Sequence, residues 1–166
     1  MKQQPDIPAL IDRMANELRE RMKIGDRTVM VGIHTGGVWV ANALHEKLGV
    51  KTPLGVLDIS FYRDDFTRIG MNPQVKPSEL PFTLDGRDII LVDDVLHTGR
   101  TVRAAMNELF DYGRPASIVL ATLVERSGRE LPIEANVVGL HMELAPNEHV
   151  KLSGPEPLSL ELKKTA

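Results

Sequence analysis

Short apolar runs alternate with amphipathic stretches along this chain, and that alternation constrains its fold more than any other feature. A first helix is predicted from Asp6, a capping residue, with Pro8 in its first turn. Ile11, Met14, Leu18 and Met22 recur at helical spacing, and Gly25 is the expected stop. Residues 28–33 read as a buried strand, with Gly32, Gly36 and Gly37 marking a tight turn. A second helix is expected over 38–48, ended by Gly49, and a strand over 54–61, where Leu57, Ile59 and Phe61 alternate. Residues 62–83 contain Pro73, Pro77 and Pro81. A connection of that length is functional or is really a hairpin. A strand over 88–92, a helix over 101–112 with Val102, Met106, Leu109 and Phe110 inward, and strands over 117–124 and 137–142 follow. The tail from Ser153 is Pro-rich and then short and mixed. Strand–helix alternation implies an α/β fold: a mainly parallel twisted sheet, helices on both faces and right-handed crossovers. With no internal linker, one domain spanning 1–166 is expected.

Composition excludes several function classes. At 166 residues and 42% hydrophobic content, the chain can bury roughly two-thirds of its surface and needs no disulfide or metal staple. It has no cysteine, which removes thiolate zinc sites, iron–sulfur clusters and a cysteine nucleophile. Its net charge of -3 argues against a broadly basic nucleic-acid surface, although a local basic patch is compatible with it. No apolar run is long enough to span a membrane, and residues 1–10 lack a signal-peptide core, so a cytoplasmic location is expected.

The segment that carries chemistry is residues 88–101. An apolar strand ends in Asp93 and Asp94, and a short loop with Thr98, Gly99 and Thr101 opens a helix. Backbone N–H groups and the positive dipole at a helix start bind phosphate. Glycine allows close approach, and the two threonine hydroxyls can add hydrogen bonds. The acids would repel that phosphate if aimed at it, so they face polyol hydroxyls, a divalent cation or a cationic transition state. A sugar phosphate satisfies both halves. The Gly-Lys-Ser/Thr ending of a Walker A loop and the Gly-x-Gly-x-x-Gly dinucleotide fingerprint are both absent.

The run Val92-Asp93-Asp94-Val95-Leu96-His97-Thr98-Gly99-Arg100-Thr101 resembles the 5-phosphoribosyl-1-pyrophosphate (PRPP) motif of type I phosphoribosyltransferases. Further blocks are similar to the pyrimidine operon regulatory proteins, which are also uracil phosphoribosyltransferases. They are Val31-Gly32-Ile33-His34-Thr35, residues 58–65 with Tyr62-Arg63-Asp64-Asp65, Gly113-Arg114-Pro115-Ala116-Ser117-Ile118, and Arg129-Glu130-Leu131-Pro132-Ile133. The PRPP motif fixes only the superfamily; the Tyr-Arg-Asp-Asp and Arg-Glu-Leu-Pro-Ile blocks select this branch. The resemblance implies a type I phosphoribosyltransferase fold with a small hood and a flexible lid.

The same resemblance implies the site. Residues Ile90, Leu91, Val92, Asp93, Asp94, Val95, Leu96, His97, Thr98, Gly99, Arg100, Thr101 and Val102 form the PRPP and nucleotide segment. Asp93 and Asp94 face the ribose, residues 97–101 wrap the 5-phosphate, and His34, Thr35, Gly36 and Gly37 hold pyrophosphate. The lid covers about 62–83, with Arg63 its phosphate ligand; the hood and tail cover about 141–166, and the base lies under the segment after His141. Asp93, Asp94 and His97 are the catalytic candidates. His97 replaces an aspartate that serves the purine ring in purine-salvage relatives; the alternative is a loop histidine that only packs beside the phosphate. Mg²⁺ arrives with PRPP, with no direct protein ligand. The implied small-molecule partners are PRPP, uracil, UMP and diphosphate, and the implied assembly is a homodimer or homotetramer.

Two departures bear on function. The family has arginine in its pyrophosphate turn where this chain has Gly36, which predicts weaker PRPP binding or turnover unless Arg63 compensates. Relatives that bind pyrimidine leader mRNA do so through a basic face, for which Arg13, Arg19 and Arg129 are the candidate contacts. Arg21, Lys23 and Arg126 add charge nearby, but Asp12, Asn16, Gly128 and Glu134 stand where more RNA-suited side chains are expected. Alternatively that helix face is simply solvated, with Glu17 and Arg21 as an i,i+4 pair. His34, His45, His141 and His149 lack metal-ligand spacing and read as surface or loop residues. Two other functions stay open: a catalytically silent UMP-sensing regulator, and a transferase for another base such as hypoxanthine or orotate.

Overall fold

The computed structural model describes residues 4–59 and 78–165. Helix α1 (Ile7–Arg21) starts where expected, because the Asp6 carboxylate accepts a 3.1 Å hydrogen bond from the Ala9 N–H. It ends before Gly25, at a Met22 cap with extended backbone. Strand β1 (Thr28–Ile33) is wholly buried. Helix α2 (Gly36–Leu48) begins two residues earlier than its apolar pattern suggested and stops at Gly49, whose φ of 63° lies in the left-handed region. Strand β2 is shorter than expected, Gly55–Leu57. Residues 60–77, which include Tyr62, Arg63, Asp64 and Asp65, lie outside the described residues. The chain re-enters as β3 (Ser78–Glu79), antiparallel to β2.

Strand β4 (Asp88–Leu96) overruns its predicted end at Val92. Its ladder with β5 (Ser117–Arg126) continues through Asp93↔Thr122, Val95↔Val124 and Leu96↔Glu125. Helix α3 (Arg100–Tyr112) follows, then β6 (Val137–Met142). The sheet runs β3-β2-β1-β4-β5-β6, parallel except for β3.

Period-two alternation sends successive strand residues to opposite faces. Met30, Ile90, Val92 and Leu123 pack with Met14, Leu18 and Leu44 of α1 and α2. Val29, Val31, Ile89 and Leu91 pack with Val102, Ala105 and Leu109 of α3. Phe110, expected inward, is exposed. The tail forms an antiparallel pair, β7 (Glu148–Ser153) and β8 (Ser159–Lys164). Leu152 and Leu160 join the core beneath α1 and α2, and Gln4 exchanges hydrogen bonds with the Leu160 backbone.

Candidate active site

The order of the strands locates the site. From β1 the chain moves outward to β2, then returns to the other side of β1 as β4 and continues to β5 and β6. In open α/β sheets ligands bind beyond the carboxyl ends of the strands at such a switch point. Here the loops after β1 and β4 meet, and each opens a helix.

Their meeting is intimate. A β-carbon on Gly36 would stand 2.2 Å from Asp94 Oδ2, and one on Gly37 would stand 2.8 Å from the Val92 carbonyl and 3.0 Å from Asp93 Cα. The turn predicted to hold pyrophosphate therefore touches the acid pair through bare glycines. The His34–Thr35 peptide within the turn is cis. Gly32, read as part of the turn, lies in β1. A side chain there would strike Val38 Cα and Ala41 Cβ, so this glycine lets α2 pack onto its strand.

The two acids differ. Asp93 is 1% exposed, and its Oδ1 accepts the Asp94 N–H at 2.8 Å. Asp94 is half-buried, with Oδ1 accepting the Val95 N–H at 2.8 Å. Both sit in the extended end of β4, which runs past the expected stop at Val92, through the acid pair, to Leu96. Ile90, Leu91 and Val92 are fully buried in the sheet and support the site from below, so their side chains cannot contact a ligand.

Asp93, Val95, Leu96, His97, Thr98, Gly99, Thr101 and Val102 surround a cleft of about 120 Å³. Gly99, at φ 97°, is the cap of α3, a conformation that favours glycine. The Thr98 hydroxyl accepts the Arg100 N–H at 3.1 Å. Arg100 faces outward to pair with Glu130 at 3.0 Å. An anion in this cleft would meet the start of a helix of 13 residues, the favourable end of its dipole.

His97 packs on Gly128, where a β-carbon would come within 2.8 Å of Nε2. Burial, and then the Arg126 guanidinium, hold its pKa below the ordinary 6.5. Beside it, at the ends of β5 and β6, lies a second pocket of about 230 Å³ that includes Glu125, Arg126, Arg129, His141 and Glu143. Its lining includes His141, Met142 and Glu143, the start of the segment under which the base was expected. Sequence reasoning did not single out Glu125, because one acid at a strand end carries no local signal.

The expected basic face differs from its reading in sequence. Arg126 is buried, donating to the Glu148 and Ser127 carbonyls. Arg129 donates to the carbonyls of His97 and Ile133 and pairs with Glu125 at 3.3 Å. Arg13 donates to Gly139 and pairs with Glu17, which takes the partner expected to be Arg21. Arg19 donates to Asn16 and to the Lys47 carbonyl. Gly128 has φ 108° and is filled by His97, which explains a glycine where an RNA-suited side chain was expected. His34, His141 and His149 are exposed, but His45 is half-buried in α2 with Nε2 2.7 Å from the Thr52 carbonyl.

Residues 1–153 match the model of the phosphoribosyl transferase domain. A relative in Nitrosococcus oceani named Bifunctional protein PyrR is 63% identical over 162 residues, covering 95% of this chain and 92% of that protein. Its counterpart in Pseudomonas syringae pv. tomato is 57% identical, covering 96% and 95%. The chain belongs to the PyrR family of phosphoribosyltransferases. A hypoxanthine-guanine phosphoribosyltransferase from Bacillus anthracis shares the fold of this PyrR-family chain, with a TM-score of 0.68 at 18% identity, covering 87% of this chain and 81% of that one. Among the described residues, no helix of this family member is long and apolar enough to cross a membrane.

Proposed function

We propose that this chain transfers the phosphoribosyl group of PRPP to uracil, giving UMP and diphosphate, and regulates pyrimidine biosynthesis as a sensor of these ligands. The observation that carries the reading is the contact between the glycine turn after β1 and Asp94 at the end of β4, beside the phosphate-sized cleft at the start of α3. Near-full-length similarity to proteins named bifunctional supports the dual role.

In this reading the cleft of residues 97–101 takes the 5-phosphate and the 34–37 turn takes the diphosphate. The anomeric carbon then lies between them, next to Asp94. The bond from that carbon to diphosphate oxygen breaks, a bond to N1 of uracil forms, and the N1 proton passes to the departing diphosphate or to water. Positive charge develops on the sugar, and a fixed carboxylate beside it favours that charge most in the transition state. No protein nucleophile is required. Asp93, folded onto backbone, acts by holding Asp94 and the strand end in place.

Asp93 is 1% exposed and held by the Asp94 N–H, so half-buried Asp94 is the carboxylate that would stand near Mg²⁺, which would arrive on the phosphate oxygens of PRPP with no direct protein ligand. When bound with PRPP it neutralises the leaving diphosphate. The pocket lined by Glu125, Arg126, His141 and Glu143 is the place for uracil. The lid was expected over 62–83, but Ser78–Glu79 pair with β2 and Leu80 and Phe82 pack on the core, so the lid is proposed for the part of that segment before β3, with residues 141–166 the hood and tail of a single domain. Cytoplasmic location, a homodimer or homotetramer, and leader-mRNA binding complete the proposal.

Incubation with uracil, PRPP and Mg²⁺, with nucleotides separated afterwards, tests it: equal amounts of UMP and diphosphate are expected. Gly36, which supplies no cation to the turn, favours a second reading as a UMP sensor without catalysis. Calorimetric UMP binding without turnover would select that reading.

A further inference from the structure

We infer that Arg129 is a positioning residue for the phosphate loop, an inference that rests on the phosphoribosyl-site reading above. Its guanidinium holds three elements at once. Nε donates to the His97 carbonyl at 2.8 Å, Nη1 donates to the Ile133 carbonyl at 2.9 Å, and Nη2 pairs with Glu125 at the end of β5 at 3.3 Å. The next two residues extend the brace, since the N–H groups of Glu130 and Leu131 both donate to the Thr98 carbonyl, at 3.0 and 3.1 Å.

The consequence follows from peptide geometry. In a trans peptide the carbonyl and the following N–H point in opposite directions. Turning the His97 and Thr98 carbonyls toward the brace turns the N–H groups of Thr98 and Gly99 the other way. Those residues line the cleft proposed for the 5-phosphate. The brace therefore sets the orientation of the amides that would receive the anion. Gly99 fits closely against it, since a β-carbon there would touch Leu131 and Ile133 at 3.4 Å and Arg129 Cδ at 3.5 Å.

Only a planar fork of several donors can serve three acceptors that diverge in this way; a lysine ammonium has the charge without the reach or the plane. The geometry also reassigns Arg129. A side chain about three-quarters buried, at 23% exposure and engaged on three sides, is built into the site. It does not stand ready on a nucleic-acid face.

The test uses ribose 5-phosphate as the probe, because its binding does not depend on the base or on turnover. Its dissociation constant is measured by calorimetry for the wild-type chain, Arg129→Gln and Arg129→Lys. Kinetics with PRPP and uracil are run alongside, and amide hydrogen exchange is followed at Thr98 and Gly99. Loss of a charge-assisted anchor predicts about a tenfold weaker ribose 5-phosphate affinity in Arg129→Gln. The KM for PRPP should rise by more than kcat falls, exchange at the two amides should speed up, and Arg129→Lys should recover only a minor part. Unchanged affinity in a folded Arg129→Gln overturns the inference, as does full rescue by lysine. If Arg129→Gln does not fold, Arg129→Lys decides by the same criterion: several-fold weaker binding supports the inference and wild-type affinity overturns it. Wild-type chain that binds ribose 5-phosphate but makes no UMP would remove the uracil reading alone. Wild-type chain that does not bind the probe would remove both.

Discussion

Asp94 fills the space that a side chain on residue 36 would occupy: its Oδ2 lies 2.2 Å from where the β-carbon would stand. The two positions come from different strand–helix units, joined across adjacent parallel strands β1 and β4. A glycine in this turn is thus matched to the rotamer of the acid.

Gly36→Ala should push Asp94 off its position without disturbing the core. Misplacing a reacting-site group by about an ångström lowers kcat/KM by up to about a hundredfold. Steady-state kinetics of the variant, Asp94→Asn and the double variant check this. The two losses should be strongly non-additive, because both act through one carboxylate.

Asp94→Asn keeps the shape and removes the charge. Loss of one preorganised electrostatic contact predicts about a hundredfold or greater fall in kcat. The KM for PRPP should change much less, since the charge matters most when the sugar becomes cationic.

His97 provides a pH signature. Burial and Arg126 keep its folded pKa below 6.5, so the unfolded chain binds the proton more readily. Its contribution to stability is fully present above pH 6.5 and is lost as pH falls from there toward the folded value. Denaturation midpoints measured across that window should fall more steeply for wild type than for His97→Asn.

Gly128→Ala meets two obstacles, a φ of 108° and the His97 ring 2.8 Å away. The backbone penalty alone is on the order of 1–2 kcal/mol. Urea denaturation should show that loss, and His97→Ala should relieve part of it by removing the ring.

Leu160→Ala tests the tail. Leu160 is fully buried against the α1 and α2 side of the sheet. Truncating such a side chain costs roughly 2–5 kcal/mol, measurable in the same denaturation experiment. A cost near zero would mean that the β7–β8 pair adds little to the core.

The central fold was legible because its strands are continuously apolar and its helices carry clear stripes. Ile89 to Val92, flanked by Val102, Ala105 and Leu109, can satisfy both periods only in a two-faced sheet. Asp93 and Asp94 misled the strand boundary, since charge at a strand end looks like a loop. Only the pairing with Thr122 and Val124 shows that the ladder continues. The tail was illegible for a related reason. Leu152 and Leu160 each stand in short, charged segments, and they are buried by pairing with each other and by joining a core whose other residues are distant in sequence. Arg126 and Arg129 looked like surface charge because nothing local announces the carbonyls they serve. The turn that opens α3 was readable from its threonines and glycine, but the arginine brace behind it was not.

The most direct test offers uracil, hypoxanthine and orotate together with PRPP and Mg²⁺, and identifies the nucleotide formed. Formation of UMP alone, with one diphosphate per UMP and loss of both in Asp94→Asn, is the predicted result. A purine nucleotide or orotidylate as the main product, or no nucleotide from any base, would contradict the account.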